Sequence, residues 1–524
     1  MDFIHLSGAV IALLPATLML VAALLPRLTP MSTASLWRAL IAISSVTLAA
    51  TVGSAAWSAS TQDTRLYGIL NATPIGVGMA ILVQLLGTVI AAFSARYLQG
   101  EAGQRRYITS LASVLAAVHV LLLADHWVMF IAAWAAVGVA LQYLLCFYPD
   151  RPFALLASHK KRLVDRAADG LLITAAALAW WSVGSGSMTD LTVHLQQQGT
   201  SSALQVSAVL LVLAVILRTA LMPVHGWLIQ VMEAPTPVSA LLHAGVVNLG
   251  GFVLIRFAPL LEQALLARSL LVAFGLVTAV LAGLVMLTRI SIKVRLAWST
   301  TAQMGFMLLE CGLGLYTLAA LHLFGHSLYK AHAFLSASTI VQQTRLKNMR
   351  GPLTPAPVSL FLAPVVAIAA VLLIQSALVP AAWPWWWSAV LGLAWAPLLW
   401  LPAHRTAWLR TLCLQGFSGL LMVAGLAGAA LLAHALPLGI HDVPNHTLGV
   451  MALLGMAALY LCLVMLQLRP QSLGAWQRWS YAGFYVDEIY TRLALQLWPT
   501  RWTPETSPPH QTVMAPQTTA SPAH

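Results

Sequence analysis

Apolar segments of about twenty residues recur along most of the chain, and the gaps between them hold Pro, Gly and charged residues. A helix needs roughly 20 mostly apolar residues to cross a bilayer, and Pro and Gly are typical of helix ends. The pattern predicts an all-α polytopic membrane protein with about 14–15 transmembrane helices. The segments are 6–25, 39–57, 76–95, 108–124, 128–147, 167–183, 204–222, 237–257, 268–288, 298–315, 317–340, 359–378, 386–402, 411–433 and 448–468.

The pattern changes after Leu468. Residues 482–498 are predicted to form an amphipathic helix, and from Pro499 the chain is polar, without periodicity, and predicted to be disordered. We therefore divide the chain into a transmembrane domain (1–468), a cytoplasmic segment with the amphipathic helix (469–498) and a disordered tail (499–524). The first residues lack a basic region and further apolar spans follow at once, so no cleavable signal peptide is expected.

Composition supports this assignment, because 60% of the residues are hydrophobic, only 8% are charged and the mean hydropathy is +0.83. Soluble proteins contain about 25% charged residues. The values exclude a soluble enzyme and a nucleic-acid-binding protein. The formal net charge of +12 is attributed to Lys and Arg in cytoplasmic loops.

The basic residues predict the orientation in the membrane. If the gaps alternate between the two sides, 22 of the 27 Lys and Arg fall on one side, three on the other and two within spans. The positive-inside rule places the 22 on the cytoplasmic side of the membrane, which predicts an N-terminus outside and a cytoplasmic C-terminus. The gap 223–236 should be cytoplasmic but contains no Lys or Arg.

Three ionisable residues lie inside predicted spans, namely Arg218, Glu310 and Lys330. Such residues are costly in a bilayer and are functional candidates, although each could also be a buried structural partner. Arg218 is the best suited to a fixed charge, because arginine does not deprotonate. Arg166 and Asp169 stand at i, i+3 at the start of a span and are expected to form an ion pair.

A polar stripe is predicted around Lys330. His322, His326 and Lys330 are spaced i, i+4, i+8, which places them on one face of a helix, and His332 lies to the other side of His322. Desolvated lysine and histidine exchange protons near neutral pH, so this row could pass protons through bridging waters. Metal binding by these histidines is not expected, because no carboxylate or cysteine accompanies them at ligand spacing.

A second polar cluster surrounds Pro235 and Pro237, which interrupt a predicted span. Broken helices occur in membranes only where they are buried in protein or line a wet cavity. Glu233 and His243 flank the break and Asn248 follows it. The cluster is interpreted either as part of an ion pathway or as a simple loop between two spans.

The four cysteines lie in apolar runs and form no disulfide framework, zinc motif or iron–sulfur motif; they are Cys146, Cys311, Cys413 and Cys462. We therefore expect no cofactor in this chain and no electron transfer by it.

Several segments closely resemble the antiporter-like proton-channel subunits, which are the L, M and N subunits of respiratory complex I and the large subunits of Mrp-type antiporters. They are APTPVSALLHAGVVNLGG (234–251), IKVRLAWSTTAQMGFMLL (292–309), HLFGHSLYKAHAFL (322–335) and, more loosely, RAADG (166–170) and FYVDEIYTRL (484–493). The resemblance implies an antiporter-like fold and makes Lys330 the match of the central channel lysine.

The chain also departs from that family. Arg218 stands where the family has its broken-helix lysine, and Ala135 stands where the partner glutamate is found. The spans over 359–468 contain no counterpart of the distal lysine. These departures and the amino-acid sequence of residues 225–260 resemble one branch, the DabB membrane subunits of DAB inorganic-carbon accumulation complexes.

The resemblance to DabB subunits implies a soluble zinc-containing partner of the DabA type, related to β-carbonic anhydrases. It also implies that cation flow, of H⁺ or Na⁺, drives conversion of CO2 to bicarbonate, with the zinc held by the partner. Docking is expected on the cytoplasmic side, with Asp487, Glu488 and Arg492 facing water or partner. The alternatives are a proton-translocating subunit of a complex I-like enzyme, hydrogenase or Mrp antiporter, and a non-conducting scaffold.

Overall fold

A computed structural model of the protein describes residues 2–60, 65–66, 68–337, 355–380, 382–403, 409–469, 471 and 474–499. The first helices are α1 (Asp2–Leu28), α2 (Thr33–Ser60), α3 (Pro74–Tyr97), α4 (Gln104–Leu123), α5 (Trp127–Leu145), α6 (Pro152–Val183), α7 (Met188–Gln198) and α8 (Ser202–Arg218). A two-stranded antiparallel ribbon, β1 (Arg65–Leu66) and β2 (Leu70–Asn71), precedes α3. The predicted tail 499–524 lies outside the described residues apart from Pro499.

The middle of the chain contains the broken helix. Its elements are α9 (Gly226–Gln230), a 3-10 turn (Val231–Glu233), α10 (Thr236–Leu241), a π segment (Leu242–Val246), α11 (Leu249–Arg256), α12 (Ala258–Glu262), α13 (Leu265–Leu287), α14 (Ile292–Leu313) and α15 (Tyr316–Leu335). The last elements are α16 (Pro357–Leu378), α17 (Trp385–Trp395) with a 3-10 turn (Ala396–Leu399), α18 (Leu409–His434), α19 (His446–Leu468), α20 (Gly474–Tyr481), a 3-10 turn (Gly483–Tyr485) and α21 (Val486–Leu497).

The prediction of an all-α polytopic membrane protein is confirmed. Within the described residues, each predicted span overlaps a helix or, at 237–257, the elements of a broken helix, and ten helical segments are long and apolar enough to cross a membrane. The segments Ser202–Arg218 and Trp385–Leu399 are apolar but shorter. Helices α6, α14 and α15 are long but are not among the ten, and they carry the polar residues of the candidate site.

Polar contacts join helix ends at two faces, one at each end of α4. On the first, Arg105 donates to the carbonyl of Pro26 at 2.9 Å and Arg106 to that of Phe147 at 3.0 Å, which joins the ends of α1, α4 and α5. We call this the basic face. On the opposite face, Arg256 donates to Asp125 at 3.2 Å and joins the end of α11 to the loop between α4 and α5.

Helices α13 and α14 pack backbone against backbone. A Cβ added at Gly275 would lie 2.7 Å from the carbonyl oxygen of Gly305 and 2.8 Å from the amide nitrogen of Leu309. A Cβ added at Gly305 would lie 2.7 Å from the carbonyl oxygen of Gly275. Small residues at such interfaces let helices in a bilayer approach closely, where burial of apolar surface contributes little.

The predicted amphipathic helix is present as α21, and it follows a turn in which Phe484 and Tyr485 have φ of +57° and +58°. Its orientation differs from the prediction. Asp487 points inward, where its carboxylate accepts a hydrogen bond from Lys160 of α6 at 2.6 Å. The apolar face points outward instead, because Ile489 is 61% exposed and Leu497 is 69% exposed. Glu488 and Arg492 are exposed, as expected.

Candidate ion pathway

The broken helix is built where the sequence predicts it. Pro237 occupies the first turn of α10, where its missing amide donor costs nothing, and Pro235 ends the preceding segment. The π segment Leu242–Val246 then widens the helix before α11 begins at Leu249. Single-turn π segments often occur at functional sites. All of α10 is buried and it packs against α15, so the break faces protein rather than lipid.

His243 lies in the π segment and turns towards α15. Its ring stacks on that of Phe334, with the ring centroids 4.6 Å apart and an interplanar angle of 18°. Five residues beyond, Asn248 donates a hydrogen bond of 2.7 Å to the hydroxyl of Ser327. The broken helix is therefore joined to α15 by a ring contact and a buried polar contact.

The predicted row on α15 is extended by a carboxylate from α14. His322 Nδ1 lies 2.8 Å from Glu310 Oε2, and both side chains are largely buried. The rings of His322 and His326 follow one another at a centroid distance of 6.0 Å. Lys330 is fully buried and donates to the carbonyl oxygen of Leu296 at 3.1 Å. The order along the row is Glu310, His322, His326, Lys330.

The row crosses much of the bundle. Glu310 stands three residues before the end of α14 and Lys330 stands 14 residues after the start of α15. With a rise of about 1.5 Å per residue, these positions lie roughly 5 Å and roughly 21 Å from the opposite face. Beyond Lys330, Lys293 donates to the hydroxyl of Thr236 at 2.8 Å near the basic face. Titratable side chains thus span from one face towards the other.

Several polar atoms beside the row have no hydrogen-bond partner within the described part of the chain. They are both ring nitrogens of His243, both ring nitrogens of His326 and the amide oxygen of Asn248. Buried polar atoms are normally paired, and ordered water is the usual partner where protein supplies none. Hydrated histidines between Glu310 and Lys330 would supply the short steps that proton transfer requires.

Arg218 belongs to a separate cluster. Its guanidinium forms an ion pair with Asp169 of α6 and lies over the ring of Trp134, 4.5 Å from the centroid. The expected pairing of Asp169 with Arg166 is therefore not the one found, because α8 brings a buried arginine against the same carboxylate. Trp134 precedes Ala135, the position where the resembling family has its glutamate. The counter-ion of Arg218 is thus supplied by α6 instead of α5.

Two residues of the predicted pathway lie away from the row. Glu233 accepts a hydrogen bond from the amide of Ala154 at 3.2 Å, and its carbonyl accepts one from Arg151 at 2.6 Å. Both contacts hold the start of α6 at the basic face, so Glu233 is not beside Arg218. His332 is exposed on α15.

The structure also shows polar residues that the sequence analysis did not single out. His119 lies 2.9 Å from the side-chain oxygen of Gln84, and Gln84 donates to Ser44 at 2.8 Å, inside the packing of α2, α3 and α4. A histidine in the apolar span 108–124 was the available signal. Lys161 and Asp165 form an ion pair at i, i+4 on α6, a spacing that could also have been recognised. Among the described residues, no cluster of three His, Cys, Asp or Glu could hold a metal ion.

The comparisons with known proteins agree with this architecture. The family described as NADH:quinone oxidoreductase/Mrp antiporter, TM, matches residues 124–351, which include the broken helix and the row. Two solved structures share the fold. One is the Mrp complex from Dietzia sp. DQ12-45-1b, with a TM-score of 0.56 and 22% identity over 94% of this chain and 55% of that chain. The other is the archaeal membrane-bound sulfane sulfur reductase, with a TM-score of 0.58 and 18% identity over 93% of this chain and 100% of that chain.

Relatives in sequence are more specific. The probable inorganic carbon transporter subunit DabB of Hydrogenovibrio crunogenus is 37% identical over 82% of this chain and 84% of its own length. DabB2 of Halothiobacillus neapolitanus is 47% identical over 52% of this chain and half of its own length. NADH-ubiquinone oxidoreductase chain 5 of Metridium senile is 31% identical over 54% of this chain and 47% of its own length. The chain therefore belongs to the DabB family of probable inorganic carbon transporter subunits.

Proposed function

We propose that this multi-pass membrane protein is the proton-conducting subunit of an inorganic-carbon accumulation complex. The observation that carries the proposal is the row of Glu310, His322, His326 and Lys330 along α14 and α15, beside a broken helix. The names of the DabB relatives supply the second support, because they are called inorganic carbon transporter subunits. The coarser assignment, an ion-conducting subunit of a multi-subunit complex, follows from family membership.

Each side chain has a distinct role in the proposed conduction. The carboxylate of Glu310 collects protons near the opposite face and orients His322 through their hydrogen bond. His326 passes the proton through bridging water to Lys330, whose ammonium is held by the carbonyl of Leu296. Arg218 keeps its proton and sets the local potential, since arginine does not titrate in proteins.

The carbon chemistry is assigned to a second protein. We propose a soluble zinc-containing partner of the DabA type that converts CO2 to bicarbonate, with the free energy supplied by ion flow through this chain. Docking of that partner on the basic face, taken as cytoplasmic, would place it beside α20 and α21. A periplasmic N-terminus and a bacterial inner-membrane location belong to the same proposal.

The test is complementation with a transport readout. The chain and its DabA-like partner are expressed together in a host lacking carbonic anhydrase, and growth in air and intracellular bicarbonate are measured. The wild-type pair should restore growth, an uncoupler should abolish accumulation, and Lys330→Ala should abolish both at normal membrane abundance. His194→Ala, a histidine change on α7 outside the row, is the matched control.

Two outcomes would contradict the proposal. One is accumulation that persists after the ion gradient has collapsed. The other is full activity of Lys330→Ala, which would make the row structural.

A respiratory or Mrp-type role is the second candidate, because chain 5 of an NADH-ubiquinone oxidoreductase matches over half of this chain and the Mrp complex shares the fold. It predicts gradient-driven Na⁺/H⁺ exchange, or co-purification with redox subunits, in the absence of any carbon-processing partner. Affinity purification of the tagged chain, followed by identification and metal analysis of the associated proteins, separates the two roles.

A further inference from the structure

A groove of about 850 Å³ opens at the basic face, outside the candidate ion pathway. It lies where α13 and α19 end and where α20 crosses beside them. Its wall on the side of the spanning helices contains Leu284, Leu287 and Leu466, together with Thr288 and Gln467 at the helix ends. Helix α20 forms the other wall, which includes Arg478 and Tyr481. The groove therefore has leucine side chains from the spans on one wall, and Arg478 and Ser480 beside the aromatic rings of α20 on the other.

The wall formed by α20 has unused hydrogen-bonding capacity. Ser480 lines the groove and is 97% buried, since only 3% of its surface is accessible, yet its hydroxyl has no hydrogen-bond partner in the described part of the chain. Arg289 follows Thr288, which lines the groove, and its guanidinium lies 5.4 Å from the ring centroid of Tyr481, another residue of the lining. Its buried Nε is also unpartnered among the described residues, and Glu488 is the carboxylate within electrostatic reach.

Arg478 adds a second cation. It is exposed on α20 and forms no ion pair with a carboxylate among the residues that the structure describes. One guanidinium group and a buried hydroxyl thus line a groove that also has a leucine-rich wall, and the guanidinium of Arg289 lies next to this lining. Arginine binds phosphate through a planar pair of donors, which suits a phosphodiester better than a single point charge would.

We infer that the groove binds an anionic phospholipid of the leaflet at the basic face. The phosphate lies between Arg289, Arg478 and the Ser480 hydroxyl, and the first part of an acyl chain packs on Leu287 and Leu466. The groove is continuous with the lipid-facing ends of α13 and α19, so a lipid enters without leaving the bilayer. Basic pockets at helix ends of this kind recognise anionic headgroups. A free phosphate would leave the leucine-rich wall uncovered.

The bound lipid would join two parts of the chain. On one side of α20, the leucine-rich wall belongs to the transmembrane helices, and on the other, Phe484 packs against the cluster that contains Met222 and Trp298. A lipid in the groove therefore fills the space between the surface segment and the spans and helps to hold α20 in place. The assignment is independent of the proposed proton conduction.

The experiment is native mass spectrometry of the full chain in detergent, titrated with phosphatidylglycerol or with phosphatidylcholine of the same acyl chains. We expect one phosphatidylglycerol site that binds at least tenfold more tightly than phosphatidylcholine. The single variant Arg478→Gln, which alters an exposed side chain that forms no hydrogen bond or ion pair with the described residues, should weaken phosphatidylglycerol binding several-fold. The double variant with Arg289→Gln should weaken it tenfold or more. Arg492→Gln, an equal loss of charge on α21 outside the groove, is the control.

Three results would overturn the inference. The first is unchanged phosphatidylglycerol affinity in the double variant, checked for folding by its elution and circular dichroism. The second is displacement of the lipid by millimolar inorganic phosphate, which would identify a free-anion site. The third is displacement by the soluble partner, which would identify the groove as a protein interface.

Discussion

Lys160 and Asp487 stand 327 positions apart in the chain and form an ion pair of 2.6 Å. Lys160 is fully buried on α6, ahead of the predicted span 167–183, and burial lowers the pKa of its ammonium while Asp487 opposes that shift. Tyr490 adds a hydrogen bond of 3.1 Å from its hydroxyl to the carbonyl of Lys160. The pair holds the surface helix α21 against the transmembrane domain.

Asp487→Asn should therefore release α21. The change leaves a buried ammonium without its carboxylate, which costs about 1.5–3 kcal/mol for a hydrogen bond to a charged group. We expect cleavage near residues 474–499 by a soluble protease to become roughly tenfold faster or more in detergent, given that each 1.4 kcal/mol is a factor of ten. Glu488→Gln, the same loss of charge at the next position, serves as control. Equal cleavage of both variants would show that the apolar contacts alone hold the helix.

Glu310 and His322 should act as a unit in conduction. Because their side chains are 2.8 Å apart, the effects of Glu310→Gln and His322→Gln on proton flux into proteoliposomes should not add. Each single change is expected to reduce flux about tenfold, and the double variant should be little worse than either. Additive losses would place the two residues on independent routes.

His326→Ala should weaken flux, and Lys330→Ala should abolish it. His326 is enclosed between its neighbours in the row, whereas Lys330 carries the last buried charge before the basic face. Flux should be compared at equal protein abundance in the same vesicles, with His194→Ala as the matched change. Wild-type proton flux through the Lys330→Ala variant would show that the row is not the proton pathway.

Arg218 offers a test of fixed charge against proton relay. Arg218→Lys should retain partial function because an ammonium can still pair with Asp169, whereas Arg218→Leu leaves the Asp169 carboxylate unpaired and should lose function. Asp169→Asn should resemble the leucine variant for the same reason. Carbon-limited growth of the co-expressed pair is the measurement, and equal growth of the lysine and leucine variants would exclude an electrostatic role.

The orientation can be measured with reporters fused after residue 524. The distribution of Lys and Arg predicts activity from a cytoplasmic reporter only. An active periplasmic reporter would reverse the assignment of the basic face and, with it, the side on which a partner docks.

The features that depend on nearby residues, namely the helix positions, the polar stripe on α15 and the helix break, were predicted from local sequence patterns. Helix positions follow from hydropathy because each span must satisfy its own backbone hydrogen bonds in a bilayer, and the stripe of His322, His326 and Lys330 follows from helical geometry alone. The helix break at Pro235 and Pro237 could be predicted for the same reason, since proline removes a backbone hydrogen-bond donor from its own helical turn.

Contacts between helices that are distant in the sequence could not be predicted from the sequence. The carboxylate partner of Arg218 comes from α6, 49 positions away, and no spacing rule distinguishes Asp169 from other carboxylates. The predicted orientation of Asp487 on α21 was wrong, because the amphipathic pattern was interpreted on the assumption that the polar side of the helix faces water. A buried lysine far upstream in the sequence reverses that choice, and only the fold brings the two together.

The close approach of Gly275 and Gly305 has a mechanical consequence. Because their backbones are in contact at these glycines, α13 and α14 cannot slide past each other and should move together as one rigid pair. In this pair, α14 carries Glu310 near one end and, near the other, Leu296, whose carbonyl accepts the hydrogen bond of Lys330. If the row conducts protons as proposed, a motion that opens and closes it would shift α15 relative to α13 and α14, so the distance between α14 and α15 is the quantity to compare between conducting and resting states.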